Sequence, residues 1–268
     1  MLMKNIAAIR WVVVSRILQG ILGTLCKVDA HEYQKALEEL ETGNVATDQG
    51  SMDQRSMDQR SMDQRSMDQR SMDQRSTYSG PVILAINHIN FLEVPMLASF
   101  GYPRRVTGLA KEESWDNPGL AFLMNTYSAV PLDRDGSYSE TFRRVREVME
   151  QGFFMIVAPE GSRSKNGVLQ KGKGGIIQLA LAAGVPVLPV VHFGGEKVWD
   201  NLKHLRRTPF YIRVGRPFRF KCDGRPGKTA RAQMTDELMG QLAALLPEKM
   251  RGEYAEQALR GTEYLEFL

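Results

Sequence analysis

The run Val82-Ile83-Leu84-Ala85-Ile86-Asn87-His88-Ile89-Asn90-Phe91-Leu92-Glu93 begins as uninterrupted apolar sequence and ends in titratable groups. A stretch this short, rich in β-branched side chains and apolar at every position has the signature of a strand buried on both faces of a sheet. Phe153-Phe154-Met155-Ile156-Val157-Ala158 repeats the signature and leads directly into Pro159-Glu160-Gly161-Ser162-Arg163-Ser164. In an open α/β sheet, ligands bind at the carboxyl ends of the strands and in the loops that leave them. Both polar segments occupy that position.

Further strands are expected over Val130–Leu132, Val185–Val191 and Tyr211–Val214. Helical patterns lie between them at Ser139–Gln151 and Gly174–Ala183, the second stopped by Gly184 and Pro186. Strands alternating with helices predict an α/β fold, a central, largely parallel mixed sheet covered by helices. Arg231–Leu246 carries Met234, Leu238, Leu242 and Leu245 on one face and should pack on that sheet.

A formal charge of +4 over 268 residues, with a pI near 9.0, suits an anionic lipid surface or a phosphorylated substrate and does not require nucleic acid. Cys26 and Cys222 lack the paired spacings of a zinc site and are too few for a disulfide framework, so a reducing compartment and no metal are expected. At the start of the chain Arg10 and Arg16 interrupt the apolar sequence, and no small-residue cleavage site follows. The segment reads as retained rather than as a leader.

An arginine near the centre of a membrane span costs about 2.5 to 3.5 kcal/mol on insertion scales, which disfavours a clean span over residues 5–25. Helical spacing gathers Lys4, Asn5, Ser15, Arg16 and Gln19 into a polar stripe opposite Ile6, Val14, Ile17, Leu18, Ile21 and Leu25, with Arg10 breaking the pattern. A helix lying in the membrane interface with snorkelling cations is expected, the alternative being a helix packed on the protein's own core. Glu32–Glu41 should form a second helix folded back on the first and stopped by Gly43 and Asn44. Residues 51–75 are five copies of Ser-Met-Asp-Gln-Arg, a period that fits neither helix nor strand and builds no core, so they read as a disordered or loosely helical insertion. The expected organisation is 1–43, N-terminal membrane-associated helices; 44–79, a repeat-bearing linker; and 80–268, one catalytic domain.

On one regular helix His88 and Glu93 would be about 140° apart, so they meet only if His88 lies in the turn and Glu93 in the first helical turn. If they meet, the carboxylate fixes the imidazole tautomer and stabilises the imidazolium. The base could then deprotonate a bound hydroxyl for attack on a thioester, with no enzyme nucleophile. Alone, the pair reads more readily as a buried histidine with an incidental acid. Arg163 could hold phosphate or carboxylate bidentately, or simply occupy a surface turn. Gly161-Ser162-Arg163-Ser164-Lys165 lacks the spacing of a nucleophile elbow. Gly167 to Gly174 lacks the Ser/Thr of a phosphate-binding P-loop, and His31-Glu32 lacks the second histidine of a zincin. Lys203, His204, Arg206 and Arg207 suit an anionic donor, a carrier protein or headgroups, or a solvated loop.

In order and with their flanking strands, the blocks from about Pro81 to Phe218 resemble the glycerophospholipid acyltransferase family, which includes the lysophosphatidate acyltransferases. His88–Glu93 corresponds to the family's His-x4-Asp block and Val130-Pro131-Leu132-Asp133-Arg134 to its arginine block. Pro159–Ser164 corresponds to Pro-Glu-Gly-Thr-Arg-Ser, and Val185-Pro186-Val187-Leu188-Pro189-Val190 to Val-Pro-x-x-Pro-Val. Ser162 stands at the threonine position and keeps the hydroxyl.

The resemblance implies a glycerol-phosphate acyltransferase-like fold with a two-helix membrane-docking motif. It implies that His88 is the general base on the acceptor hydroxyl and that Glu93 orients it. Lys111, Arg134 and Arg163 become candidates for the acceptor's phosphate, and Glu160, Gly161 and Ser162 for shaping the glycerol pocket. The implied reaction moves an acyl chain from acyl-CoA or acyl-carrier protein to lysophosphatidate, at the cytoplasmic face of a membrane and with no cofactor beyond the co-substrate. Glu93 departs from the commoner Asp by one methylene, and a misplacement of about 1 Å can lower a rate on the order of a hundredfold. Another lysolipid acceptor, a transacylase and a catalytically impaired lipid-binding protein therefore stand as alternatives.

Overall fold

The apolar run at 83–86 lies at the centre of a nine-stranded sheet in the computed structural model, which describes residues 2–43, 78–90, 93–132, 138–222 and 224–268. The pentapeptide repeat, nearly all of the expected 44–79 linker and Arg134 lie outside the described residues. Along the chain the elements are α1 (Leu2–Leu25), β1 (Cys26–Asp29), α2 (His31–Thr42), β2 (Ile83–Ile86), α3 (Glu93–Phe100), β3 (Val106–Lys111), α4 (Pro118–Thr126), β4 (Val130–Leu132), α5 (Tyr138–Glu150) and β5 (Phe154–Val157). There follow α6 (Gly175–Ala183), β6 (Val187–Phe193), α7 (Val198–Lys203), β7 (Thr208–Val214), β8 (Phe218–Phe220), α8 (Lys228–Leu245) and β9 (Leu265–Phe267).

The sheet runs β1-β7-β6-β2-β5-β3-β4, with β8 paired to β6 and β9 to β8. From β6 to β4 the neighbours are parallel, so β2, β3, β4, β5 and β6 all end at one edge. β7 is antiparallel to β6 and β1 parallel to β7, so both of these begin at that same edge.

Alternate residues of the central strands feed two cores. Leu84, Ile86, Phe154, Ile156, Leu188 and Val190 join Trp11, Tyr33, Leu37, Met96 and Leu97 on the face covered by α1, α2 and α3. Ile83, Ala85, Met155, Val157, Val187 and Val191 join Val145, Ile177, Leu238 and Leu242 on the face covered by α5, α6 and α8. Burial on both faces is why these strands read as continuous apolar runs. β1 and β3 were not foreseen: Lys27 and Asp29 interrupt one, Thr107 and Gly108 the other, and pairing with β7 and with β4 and β5 makes them strands.

The expected stripe on α1 is oriented differently from a helix floating free in an interface. Ser15 is fully buried and shares a hydrogen bond with the Tyr127 hydroxyl at 3.1 Å, and Gln19 Nε2 donates to the Ser99 carbonyl at 2.7 Å. Arg10, which broke the pattern, donates to the Asn125 carbonyl at 3.0 Å, near the end of α4, and Arg16 lies over the Tyr102 ring at 5.0 Å. Much of the polar stripe is therefore docked on the protein, while Ile9, Val13, Ile17 and Ile21, spaced one turn apart, face outward. Among the described residues α1 is the one helix long and apolar enough to cross a membrane.

α2 forms where expected, ended by Gly43 at φ 75°, but it does not fold back on α1. β1 intervenes and carries the chain into the sheet. Tyr33, Leu37 and Leu40 are then buried in the core shared with β2 and β5, and the Tyr33 hydroxyl donates to the Leu97 carbonyl at 3.1 Å. Tyr33, Leu37 and Leu40 thus join α2 to the same core as the central strands.

Candidate active site

The site begins where β2 stops. Asn87 continues the β2–β6 ladder with its side chain: Nδ2 donates to the His192 carbonyl and Oδ1 accepts from the His192 amide, each at 2.9 Å. The His192 ring returns the contact, with Nε2 2.9 Å from the Asn87 carbonyl oxygen. The next residue, His88, leaves the sheet in a turn, and Glu93 is the first residue of α3, which is the arrangement the sequence spacing demanded.

Glu93 is fully buried and its two oxygens have separate duties. Oε1 accepts the backbone amides of Ile89 and Asn90, closing the turn ahead of α3. Oε2 lies 2.6 Å from His88 Nδ1. A carboxylate out of water is costly unless hydrogen-bonded, and these donors offset that cost. An ionised carboxylate can only accept, so Nδ1 carries the proton and the basic lone pair of His88 is on Nε2. The His88 side chain is 27% exposed while that of Glu93 is 0%, so the acid is sealed beneath a base that solvent reaches.

The strand-end loops are stitched together at His88. Its amide donates to Glu160 Oε1 at 2.7 Å, and its carbonyl accepts the Ser164 amide at 2.7 Å. Glu160 Oε2 accepts the Gln170 amide at 2.9 Å and its side-chain amide at 3.1 Å, and Gln170 Nε2 also donates to the Ser162 carbonyl at 2.8 Å. Burial pushes the Glu160 carboxyl above its usual range, against the lowering effect of these donors. Glu160 therefore braces the turn that carries Gly161, Ser162 and Arg163.

Gly161 adopts φ 69°, a left-handed conformation, and a Cβ there would stand 2.9 Å from Lys173 Nζ. The glycine thus admits both the turn and the lysine that lies across it. Ser162 and Arg163 are exposed beside it. Lys111 ends β3 at the same edge of the sheet, also exposed, with Leu132 of β4 as its register partner. Arg134 lies two positions beyond Leu132.

Two residues of the site were not foreseen. Lys173 was hidden in the Lys171-Gly172-Lys173-Gly174 run, which fails as a P-loop yet delivers a cation to the turn. His192 interrupts an apolar strand, and that is its only trace in the sequence. It is fully buried, stacks on Phe210 at 5.4 Å and places Nε2 3.4 Å from Glu93 Oε1. Burial holds its pKa below the usual histidine value, the Glu93 carboxylate opposing that shift, so the neutral ring offers its Nε2 proton to the Asn87 carbonyl on the Glu93 side. Two cavities, about 100 Å³ beside Leu40 and Pro217 and about 650 Å³ beside Asp236 and Glu263, lie away from His88.

Residues 65–192, the interval that holds His88, Glu93, Lys111, Glu160 to Arg163 and His192, match the family model described as Acyltransferase. This interval is similar to acyltransferase domains. Over 120 residues this domain is 31% identical to a chloroplastic 1-acyl-sn-glycerol-3-phosphate acyltransferase of Brassica napus, covering 44% of this chain and 34% of the relative. It is 30% identical over 120 residues to a chloroplastic enzyme of the same name from Arabidopsis thaliana, covering 44% and 33%. The chain thus spans about a third of the length of these two relatives. Among solved structures it is similar to the 1-acyl-sn-glycerophosphate acyltransferase PlsC of Thermotoga maritima, at 22% identity and a TM-score of 0.44, covering 59% of this chain and 63% of that one.

Proposed function

We propose that the acyltransferase domain moves a fatty acyl group from a thioester, acyl-CoA or acyl-carrier protein, to the free hydroxyl of a lysophospholipid, foremost lysophosphatidate, giving phosphatidate. The observation that carries this reading is the buried Glu93 carboxylate 2.6 Å from His88 Nδ1, which leaves Nε2 as a base on the open side of the ring.

In the proposed step, Nε2 accepts the hydroxyl proton as the oxygen attacks the thioester carbonyl. A carbon–oxygen bond forms, the tetrahedral intermediate collapses with loss of the carbon–sulfur bond, and the imidazolium returns its proton to the departing thiolate. Glu93 stabilises the imidazolium and holds the ring. Arg163 and Lys111, with Arg134 and Lys173, supply cations for the acceptor's phosphate. Glu160 has both oxygens committed, so it shapes the glycerol pocket through the turn it braces, with Gly161 and Ser162 on that turn. The bare apolar face of α1 suits a lipid surface, on the cytoplasmic side, from which a lysolipid would be drawn.

The test is thiol release from acyl-CoA that depends on added lysophosphatidate. His88→Ala should lower turnover by roughly 10² to 10⁴ while lipid binding survives; wild-type turnover in that variant removes the mechanism. Lipid binding without thiol release makes the chain a lipid-binding protein, and acyl exchange without any CoA ester makes it a transacylase. Arg163→Ala should raise KM for lysophosphatidate more than KM for an uncharged monoacylglycerol; equal effects reassign Arg163 to structure.

A further inference from the structure

The proposed acyl-transfer step uses no side chain between Lys197 and Arg207, the segment whose Lys203, His204, Arg206 and Arg207 suit an anionic donor, a carrier protein or headgroups. α7 follows the carboxyl end of β6, and β7 returns antiparallel with Tyr211 opposite Phe193, so this connection stands on the same edge of the sheet as His88. Trp199 is 55% exposed, Leu202 37% and Leu205 93%. Leu205 also has φ 53°, the left-handed region that residues with a Cβ avoid and that Asn or Gly enters far more readily. For the isolated fold, an apolar side chain held in water on such a backbone has neither burial nor conformational preference in its favour. Strain of this kind is tolerated where it serves a contact.

What surrounds Leu205 indicates the contact. Lys197, Lys203 and Arg206 are exposed around the three apolar side chains, as are Glu196 and Asp200, the latter 3.7 Å from Lys203 Nζ, which leaves the basic side chains in excess. Arg207 donates to the carbonyls of Gly23 and Cys26, which ties the segment to the end of α1. Leu205 is two residues, at most about 7 Å of chain, from that tie. Ile21, on the exposed stripe of α1, lies two residues before Gly23.

We propose that α7 and the turn after it form a second membrane contact, Trp199, Leu202 and Leu205 entering an anionic bilayer while Lys197, Lys203 and Arg206 lie among its headgroups. Apolar insertion ringed by cations is the physics of interfacial binding to anionic lipid. An acidic protein would complement the cations as well, but three exposed apolar side chains, tied through Arg207 to the end of the apolar helix α1, favour hydrocarbon. The contact sets the catalytic edge of the sheet against the lipid surface.

Binding of the full chain to vesicles tests this without reference to turnover. Leu205→Asn keeps a residue that accepts the left-handed backbone, and it should bind vesicles of phosphatidylcholine with phosphatidylglycerol about tenfold more weakly, with unchanged circular dichroism. Lys203→Ala with Arg206→Ala should lose about fivefold per cation on those vesicles and nothing on phosphatidylcholine alone. Brominated phosphatidylcholine should quench the tryptophan emission of the wild type, and Trp199→Phe should abolish most of that quenching. Unchanged partitioning of Leu205→Asn, or quenching that survives Trp199→Phe, overturns the proposal. So does a cation variant that keeps its vesicle binding and raises KM only for acyl-carrier protein donors, which would give the surface to a protein partner.

Discussion

Glu93 and Glu237 are the same device put to different ends. Each is a buried glutamate on a helix that captures two consecutive backbone amides of another segment: Ile89 and Asn90 for Glu93, Glu263 at 3.0 Å and Tyr264 at 2.9 Å for Glu237. Glu237 even borders the larger cavity, and its further partner is the Gln233 amide at 3.4 Å. Glu93 instead gives its second oxygen to an imidazole that reaches solvent. Burial and amide capture therefore fix a carboxylate in space but do not make a site. A site begins where the fixed carboxylate meets a titratable ring that solvent reaches.

The contrast breaks most visibly at the side-chain amide. In Glu93→Gln the oxygen can keep the Ile89 and Asn90 amides, but the new NH2 must donate to His88 Nδ1, which moves the ring proton to Nε2 and removes the base. Turnover should fall by about 10⁴ with only a small loss of stability, measured by single-turnover thiol release beside urea unfolding. A variant that loses stability but keeps turnover would make Glu93 a second Glu237. Glu237→Gln should behave in the opposite way. Its NH2 would face the Glu263 or Tyr264 amide, donor against donor, and unfolding free energy should drop by about 1 to 3 kcal/mol with wild-type kcat. A fall in kcat at matched stability would show that the C-terminal segment reaches the chemistry.

The central sheet and the strand-end motifs were legible because burial on both faces and the punctuation after each strand are local properties. Ile83–Ile86 and Phe154–Val157 announce themselves by composition, and His88 and Glu160 by following them. What the sequence does not carry is how one strand-end loop uses another. The sequence places Glu160 beside the pocket, but that its oxygens hold His88 and Gln170 is visible only in the fold. The stripe on α1 has a legible periodicity but not legible neighbours, since nothing local says that Ser15 meets Tyr127, 112 residues away. His192 is illegible for the same reason: it meets Asn87 across 105 residues, and one histidine in an apolar strand has no pattern of its own.

His192 is also where the contrast between the two glutamates can be sharpened with the smallest effect. Glu237 has no imidazole behind it, whereas Glu93 has one on each side, His88 at 2.6 Å and His192 at 3.4 Å. If both rings were charged, His88 would gain less from Glu93 on becoming an imidazolium, so the arrangement works only with His192 neutral. Burial holds the folded His192 pKa below its ordinary 6.5. As pH falls below 6.5 the unfolded chain therefore takes up a proton that the folded chain refuses, and stability present above that pH is progressively lost, by at most about 1.4 kcal/mol per pH unit for one group. Glu160, whose folded pKa is raised, acts in the opposite sense: its protonation favours the fold as pH falls, and it does so equally in a His192 variant. The difference between wild type and His192→Gln therefore isolates the histidine. Urea unfolding at pH 7.5 and 5.5 should show wild type losing more stability on acidification than His192→Gln. Equal losses would mean that the folded protein accepts the proton at His192, and that Glu93 already holds a cation before His88 turns into one.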